Sequence, residues 1–176
     1  MQPAFDMRIR TMIKAMTELV LPAIATENHA AVEQAKLVTA SLGLLMEQFD
    51  YSHWFEVADI RSHAQLAKDL GALADVPTAA AARQVADRAT KLADRWDVRL
   101  SDVREEGRLL RDAVCALVEA LMVLDNVEVR KRTIAMVLDQ SNGQILRERS
   151  FVAKTNFDVY PETLLPLADA MQISST

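Results

Sequence analysis

Apolar residues recur along this chain at three- and four-residue steps, and the punctuation between them predicts an all-α protein. Over 4–21, Phe5, Ile9, Met12, Ile13, Met16 and Val20 share a helical face, with Asp6, Arg10, Lys14 and Glu18 as an outer stripe. Pro22 should end that helix. A second helix over 27–49, capped by Thr26, carries the seam Ala31, Ala35, Val38, Leu42, Leu45, Phe49 and a second line of Leu37, Ala40 and Leu44.

Asp50 or Ser52 can cap a third helix over about 52–74. Val76-Pro77-Thr78 is the clearest break, with Thr78 as the next cap. An alanine-rich fourth helix over 79–99 places Val85, Ala89, Leu92 and Trp96 on one side. The fifth, over 102–124, has the most regular seam: Val103, Gly107, Leu110, Val114, Leu117, Leu121 and Leu124, with Leu109, Ala113, Ala116, Ala120 and Val123 beside it. Such a helix should be central. Periods near 3.5 residues across several helices predict an antiparallel bundle of five to six helices.

Two readings compete over 126–152. Asp125 or Asn126 can cap a helix running to about 139, with Gly143 as its stop. The same stretch reads as a small β-hairpin over 133–152 turning on Asn142-Gly143. The tail, 155–176, should be irregular with a short helix from Pro161, kinked at Pro166. One domain over 1–176 accommodates all of this.

Composition sharpens the picture. The chain has 176 residues, 51% apolar and 5% aromatic, with four glycines and five prolines. That is too poor in turn formers for a sandwich of short strands and too apolar for disorder. A net charge of −5 disfavours nucleic acid and anionic membranes as partners. Charge is uneven, since 126–154 holds Arg130, Lys131, Arg132, Arg147, Arg149 and Lys154 against three carboxylates. The single cysteine, Cys115, excludes an internal disulfide or a CxxC pair, and lies in apolar surroundings expected of a structural thiol. The charged first ten residues and the lack of a long apolar run predict a soluble, cytoplasmic protein without membrane association. High Ala, Arg and Asp usage suggests a bacterial source.

Candidate chemistry is sparse. Glu56, Asp59 and His63 share one side of the third helix, on the stripe that Leu66, Leu70 and Leu73 continue. Carboxylate–histidine clusters inside bundles can hold metals, but those sites use Glu-x-x-His in two copies, whereas Asp59 and His63 are four apart and nothing supplies a second copy. His29 and Glu33 would lie roughly 15 Å away along an antiparallel pair. Lys68 is rotated away from His63, against a phosphotransfer site. No metal, cofactor or catalytic residue is therefore assigned.

Phe49-Asp50-Tyr51-Ser52-His53-Trp54-Phe55 concentrates aromatics at a helix junction, either as a plug of rings or as the rim of an apolar pocket with polar handles. The candidate ligand set is Tyr51, His53, Trp54, Glu56, Asp59 and His63. A candidate anion set is Arg130, Lys131, Arg132, Arg147 and Arg149. Nucleotide loops and hydrolase motifs are not present. The leading expectation is a non-enzymatic interaction or regulatory protein, homodimeric and acting through protein–protein contacts, because two helices show more apolar surface than one bundle covers. The alternative is a bundle binding a small apolar ligand or metal near the third-helix polar cluster.

Overall fold

The computed structural model describes residues 4–153 and 158–171, whose regular structure is all helical, with no strand among them. The chain forms two compact units. One comprises 1–51 with 151–163, the other 52–150 with 164–176.

In the first unit, α1 (Phe5–Ala15) runs through a π-helical stretch (Met16–Val20) into a last turn, α2 (Leu21–Ala23). Asp6–Arg10 and Lys14–Glu18 pair along its outer stripe as the spacing predicts. After a short turn comes α3 (His29–Phe49). Its cap is Asn28, not Thr26: the Asn28 side chain accepts from the Ala31 amide at 3.2 Å, while the Thr26 hydroxyl turns to Glu27. Phe5 stacks on Phe49 with ring centroids 4.0 Å apart, which sets the start of α1 beside the end of α3. Across α1–α3 only Ile9 and Ala35 are buried.

The second unit contains the core. α4 (Ser52–Gly71), α5 (Pro77–Ala93) and α6 (Leu100–Met122) pack mutually. The end of α4 meets the start of α5 near Gly71 and Ala79, and Arg61, midway along α4, reaches Asp94 just beyond α5. α6 buries the predicted seam, Val103, Gly107, Leu110, Val114, Leu117 and Leu121. Gly107 allows a close approach, because a Cβ there would stand 3.4 Å from Ile60 Cγ1.

The face of α5 differs from the expected one. Ala79, Ala82, Ala86, Ala89 and Ala93 are buried, stepping 3-4-3-4, and these small side chains let α5 sit close to its neighbours. Pro77 starts the helix at its first position, and Thr78 does not cap it. The helix ends at Asp94, where a turn held by Arg95–Asp97 swings Trp96 out to 93% exposure.

The 126–152 region is one helix, α7 (Val127–Phe151), so the hairpin is corrected and Gly143 is not a stop. Asn126 caps it, accepting from the Glu128 and Val129 amides. Hydrogen bonds from Gln140 to Gln144 and from Gln144 to Glu148 carry helical spacing across Gly143. A lone two-stranded hairpin, with no sheet to join, is marginal in water. Beyond α7, Pro161–Thr163 forms a 3-10 turn and α8 (Leu167–Ala170) follows Pro166. Lys154, 155–157 and 172–176 lie outside the described residues.

Candidate functional site

The site begins with a change of character along two helices. On α4, the stripe that ends in Leu66 and Leu70 starts with Glu56, Asp59 and His63. On α7, the inward stripe runs Val129, Thr133, Met136, Gln140, Arg147 and Ser150, apolar at its start and polar later. His63 meets Gln140 and Asp59 meets Arg147, so the two polar stretches face each other.

Asp59 and His63 are buried. His63 Nδ1 lies 3.0 Å from the Asp59 carbonyl oxygen and 3.3 Å from its carboxylate. Both neighbours are acceptors, so Nδ1 carries the proton in the neutral ring and Nε2 accepts from the Gln140 amide nitrogen at 3.3 Å. The Arg111 Nη1 donates to Asp59 Oδ2 at 2.6 Å. The Arg147 Nη2 stands 3.9 Å from Asp59 Oδ1 and is a buried donor with no hydrogen-bond partner.

Burial pushes the Asp59 carboxyl up, but the His63 hydrogen bond and the charges of His63 and Arg111 together hold it below its ordinary value. Burial lowers Arg147, against the upward pull of Asp59 and Glu148. Asp59 thus faces two guanidinium groups, and Glu148 is a second carboxylate acting on Arg147.

α7 keeps its backbone farther from α4 and α6 than those helices keep from each other, with Val129 and Met136 packed on the core and long polar side chains spanning the gap beyond. A groove opens on each side of these polar contacts. One, of about 360 Å³, is lined by polar residues including Ser62, Gln65, Asp139 and Arg147. The other, of about 370 Å³, is lined by Leu66, Val114, Val118 and Val137, with His63, Arg111, Gln140 and Gln144.

The remaining sequence-predicted residues go elsewhere. Glu56 pairs with Arg104 at 2.8 Å. His53 and Trp54 meet edge to face and line a different groove with Arg61 and Trp96. Tyr51 belongs to the first unit, near Phe5, Arg10 and Phe49. Of the basic set, Arg130 donates to the Leu124 carbonyl at the end of α6 and Lys131 pairs with Glu128. Arg132 is exposed, Arg149 is half-buried, and Arg147 alone reaches the buried cluster. Arg130 and Arg147 are about 25 Å apart along the helix, so the five do not converge. Cys115 is exposed and lines the apolar groove, contrary to the expectation of a packed thiol.

Gln140 and Gln144 escape a reading of the sequence that ends the helix at 139, and the signal for them is the polar continuation of the Val129–Met136 stripe. Arg111, on α6, is set by its pairing with Asp59 on another helix, which no local pattern shows. Among the described residues no group of His, Cys, Asp and Glu is placed to hold a metal ion, and no helix is long and apolar enough to cross a membrane. Compared with protein-family models, curated proteins and solved structures, the chain matches none.

Proposed function

We propose that the chain is an interaction protein of the cytoplasm that self-associates through its α1–α3 hairpin, two copies completing an antiparallel helical bundle. The observation that carries this reading is the hairpin's open apolar face. Val38, Leu45 and Phe49 lie within about 40° on α3, and Phe5 and Met12 within about 20° on α1. All five are 45–53% exposed, and the Phe5–Phe49 stack joins the two stripes into one face.

A second copy is the occupant that fits. Two helices that bury only Ile9 and Ala35 have little core of their own, and four helices around a shared seam supply one. The same patch on both partners is what a two-fold interface uses. Each of the five residues exposes on the order of 100 Å², and with the half-buried side chains between them the face nears the ~800 Å² per partner of a standard interface. Charge agrees in sign. α1 carries Arg8, Arg10 and Lys14 against Asp6, and α3 carries Glu33 and Glu47 against Lys36, which favours α1 of one copy beside α3 of the other.

Sedimentation equilibrium across the micromolar range tests it. A dimer is expected for the wild type and a monomer for Leu45→Glu, with helical content retained in both. A wild-type chain that stays monomeric throughout overturns the reading.

A further inference from the structure

We propose that the groove between α4, α6 and α7 binds an amphiphilic monoanion, its apolar body along Leu66, Val114, Val118 and Val137 and its head at Arg111. This goes beyond self-association and uses none of the hairpin residues.

The register of the helices places the chemistry. Asp59 meets Arg111, and His63 meets Gln140, so His63, Arg111, Gln140 and Gln144 gather towards one end of the groove. On α6, Val114 and Val118 follow Arg111 by one and two turns, leading from the polar end into the apolar stretch. At about 370 Å³ the groove is within the size range of small-molecule sites, with an apolar lining and a few converging polar groups.

The sign of the head follows from the cluster behind it. Asp59 stands behind Arg111, and Arg111 is the one Lys or Arg of the lining, so the polar end presents a guanidinium. Arg111 spends one nitrogen on Asp59 and keeps 40% of its side chain exposed, leaving the rest of its planar fork for a carboxylate or sulfonate. The Gln140 amide nitrogen bonds His63 and that of Gln144 bonds Glu148, so the head depends on Arg111. Glu119, the one acidic residue of the lining, lies two turns from Arg111, roughly 12 Å along α6. An ammonium head would meet Arg111 with like charge.

The probe is decanoate below its micelle concentration, with decylammonium as the control of equal chain length and opposite charge. Calorimetry should give one decanoate per chain and at least tenfold weaker binding of decylammonium. Cys115, the single thiol and itself on the groove, reports the location: saturating decanoate should slow its reaction with a maleimide several-fold.

Arg111→Gln should weaken decanoate at least tenfold. Should that variant fold poorly, Cys115→Trp fills the groove from an exposed position and should abolish binding. Leu45→Glu, which tests the hairpin interface, should bind decanoate like the wild type, so the two proposals fail separately. Equal affinity for the two probes, unchanged Cys115 reactivity at saturation, or wild-type binding by Cys115→Trp overturns the assignment.

Discussion

His63 and Asp59 are one helical turn apart on α4, and the imidazole Nδ1 sits against two oxygens of the same aspartate, its carbonyl at 3.0 Å and its carboxylate at 3.3 Å. The ring is thereby turned so that Nε2 faces α7. A single short-range contact on α4 therefore fixes which atom meets Gln140, 77 residues along the chain.

The same aspartate should govern acid stability. A carboxyl held below its ordinary value of 3.8 contributes stability that is complete above that pH and is lost as pH falls through the lower folded value. Wild-type thermal stability should therefore fall steeply below about pH 4. Asp59→Asn should lose about 3 kcal/mol at neutral pH, because Arg111 and Arg147 are left without their carboxylate, and its acid limb should be shallower. Thermal melts of both chains from pH 7 to pH 3 check this, and parallel acid limbs would count against it.

Gly143→Ala should stabilise the protein. The position is inside α7, and an added Cβ meets only Arg147 Nη1, at 3.7 Å. Replacing a helical glycine by alanine gains roughly 0.8 kcal/mol, or about 2–3 °C in a chain of this size. On an Asn-Gly turn the same change is destabilising, so the sign of the Tm shift measures the conformation of this segment.

Ala86→Leu should be among the most damaging single changes. Ala86 is fully buried on the face of α5 that lies against the core, and added carbons there force the helices apart. A loss of about 3 kcal/mol, at the upper end for overpacking, is expected by urea unfolding. Ala80→Leu, on the exposed side of the same helix, serves as the control and should change stability by less than about 0.5 kcal/mol.

Trp96→Ala should also leave stability within about 0.5 kcal/mol of wild type, because the ring is nearly fully exposed. Trp54→Ala, where the ring is 42% exposed and contacts His53, should cost more. Paired melts of the two variants separate them.

How far the sequence could be read depends on which residues carry each pattern. The α6 seam is legible because leucine and valine occupy nearly every inward position, so period and burial coincide. The α5 face is obscured because its buried positions are alanines, which carry little hydrophobic weight. Val85, Leu92 and Trp96 therefore draw the face to one side of the buried alanines, although Val85 still packs against the core. Trp96 then lies beyond the helix end at Asp94, a stop set by local turn geometry rather than by apolar spacing.

α7 misleads for the opposite reason. Ile134, Val137 and Leu138 look inward by hydropathy, yet Ile134 and Leu138 are exposed while Thr133 and Ser150 are buried. Long-range partners, Gln140 to His63 and Arg147 to Asp59, choose the face. No window of local sequence contains them. On α4 the switch from polar to leucine along one stripe is visible in the sequence, but its inward direction depends on Arg111 and Arg147, contributed by other helices.

The contrast between α5 and α7 implies two different filters on substitution. Positions 79, 82, 86, 89 and 93 should accept residues by volume alone, with glycine and serine surviving where larger side chains fail. Positions 140 and 144 line the groove beside α7, so bulk is tolerated there and polarity is what selects, as polarity also does at the buried position 147. A saturation library scored for folding would split these positions into a size-limited class and a polarity-limited class, and the boundary between the two would trace where the molecule is packed solid and where it leaves room for something else.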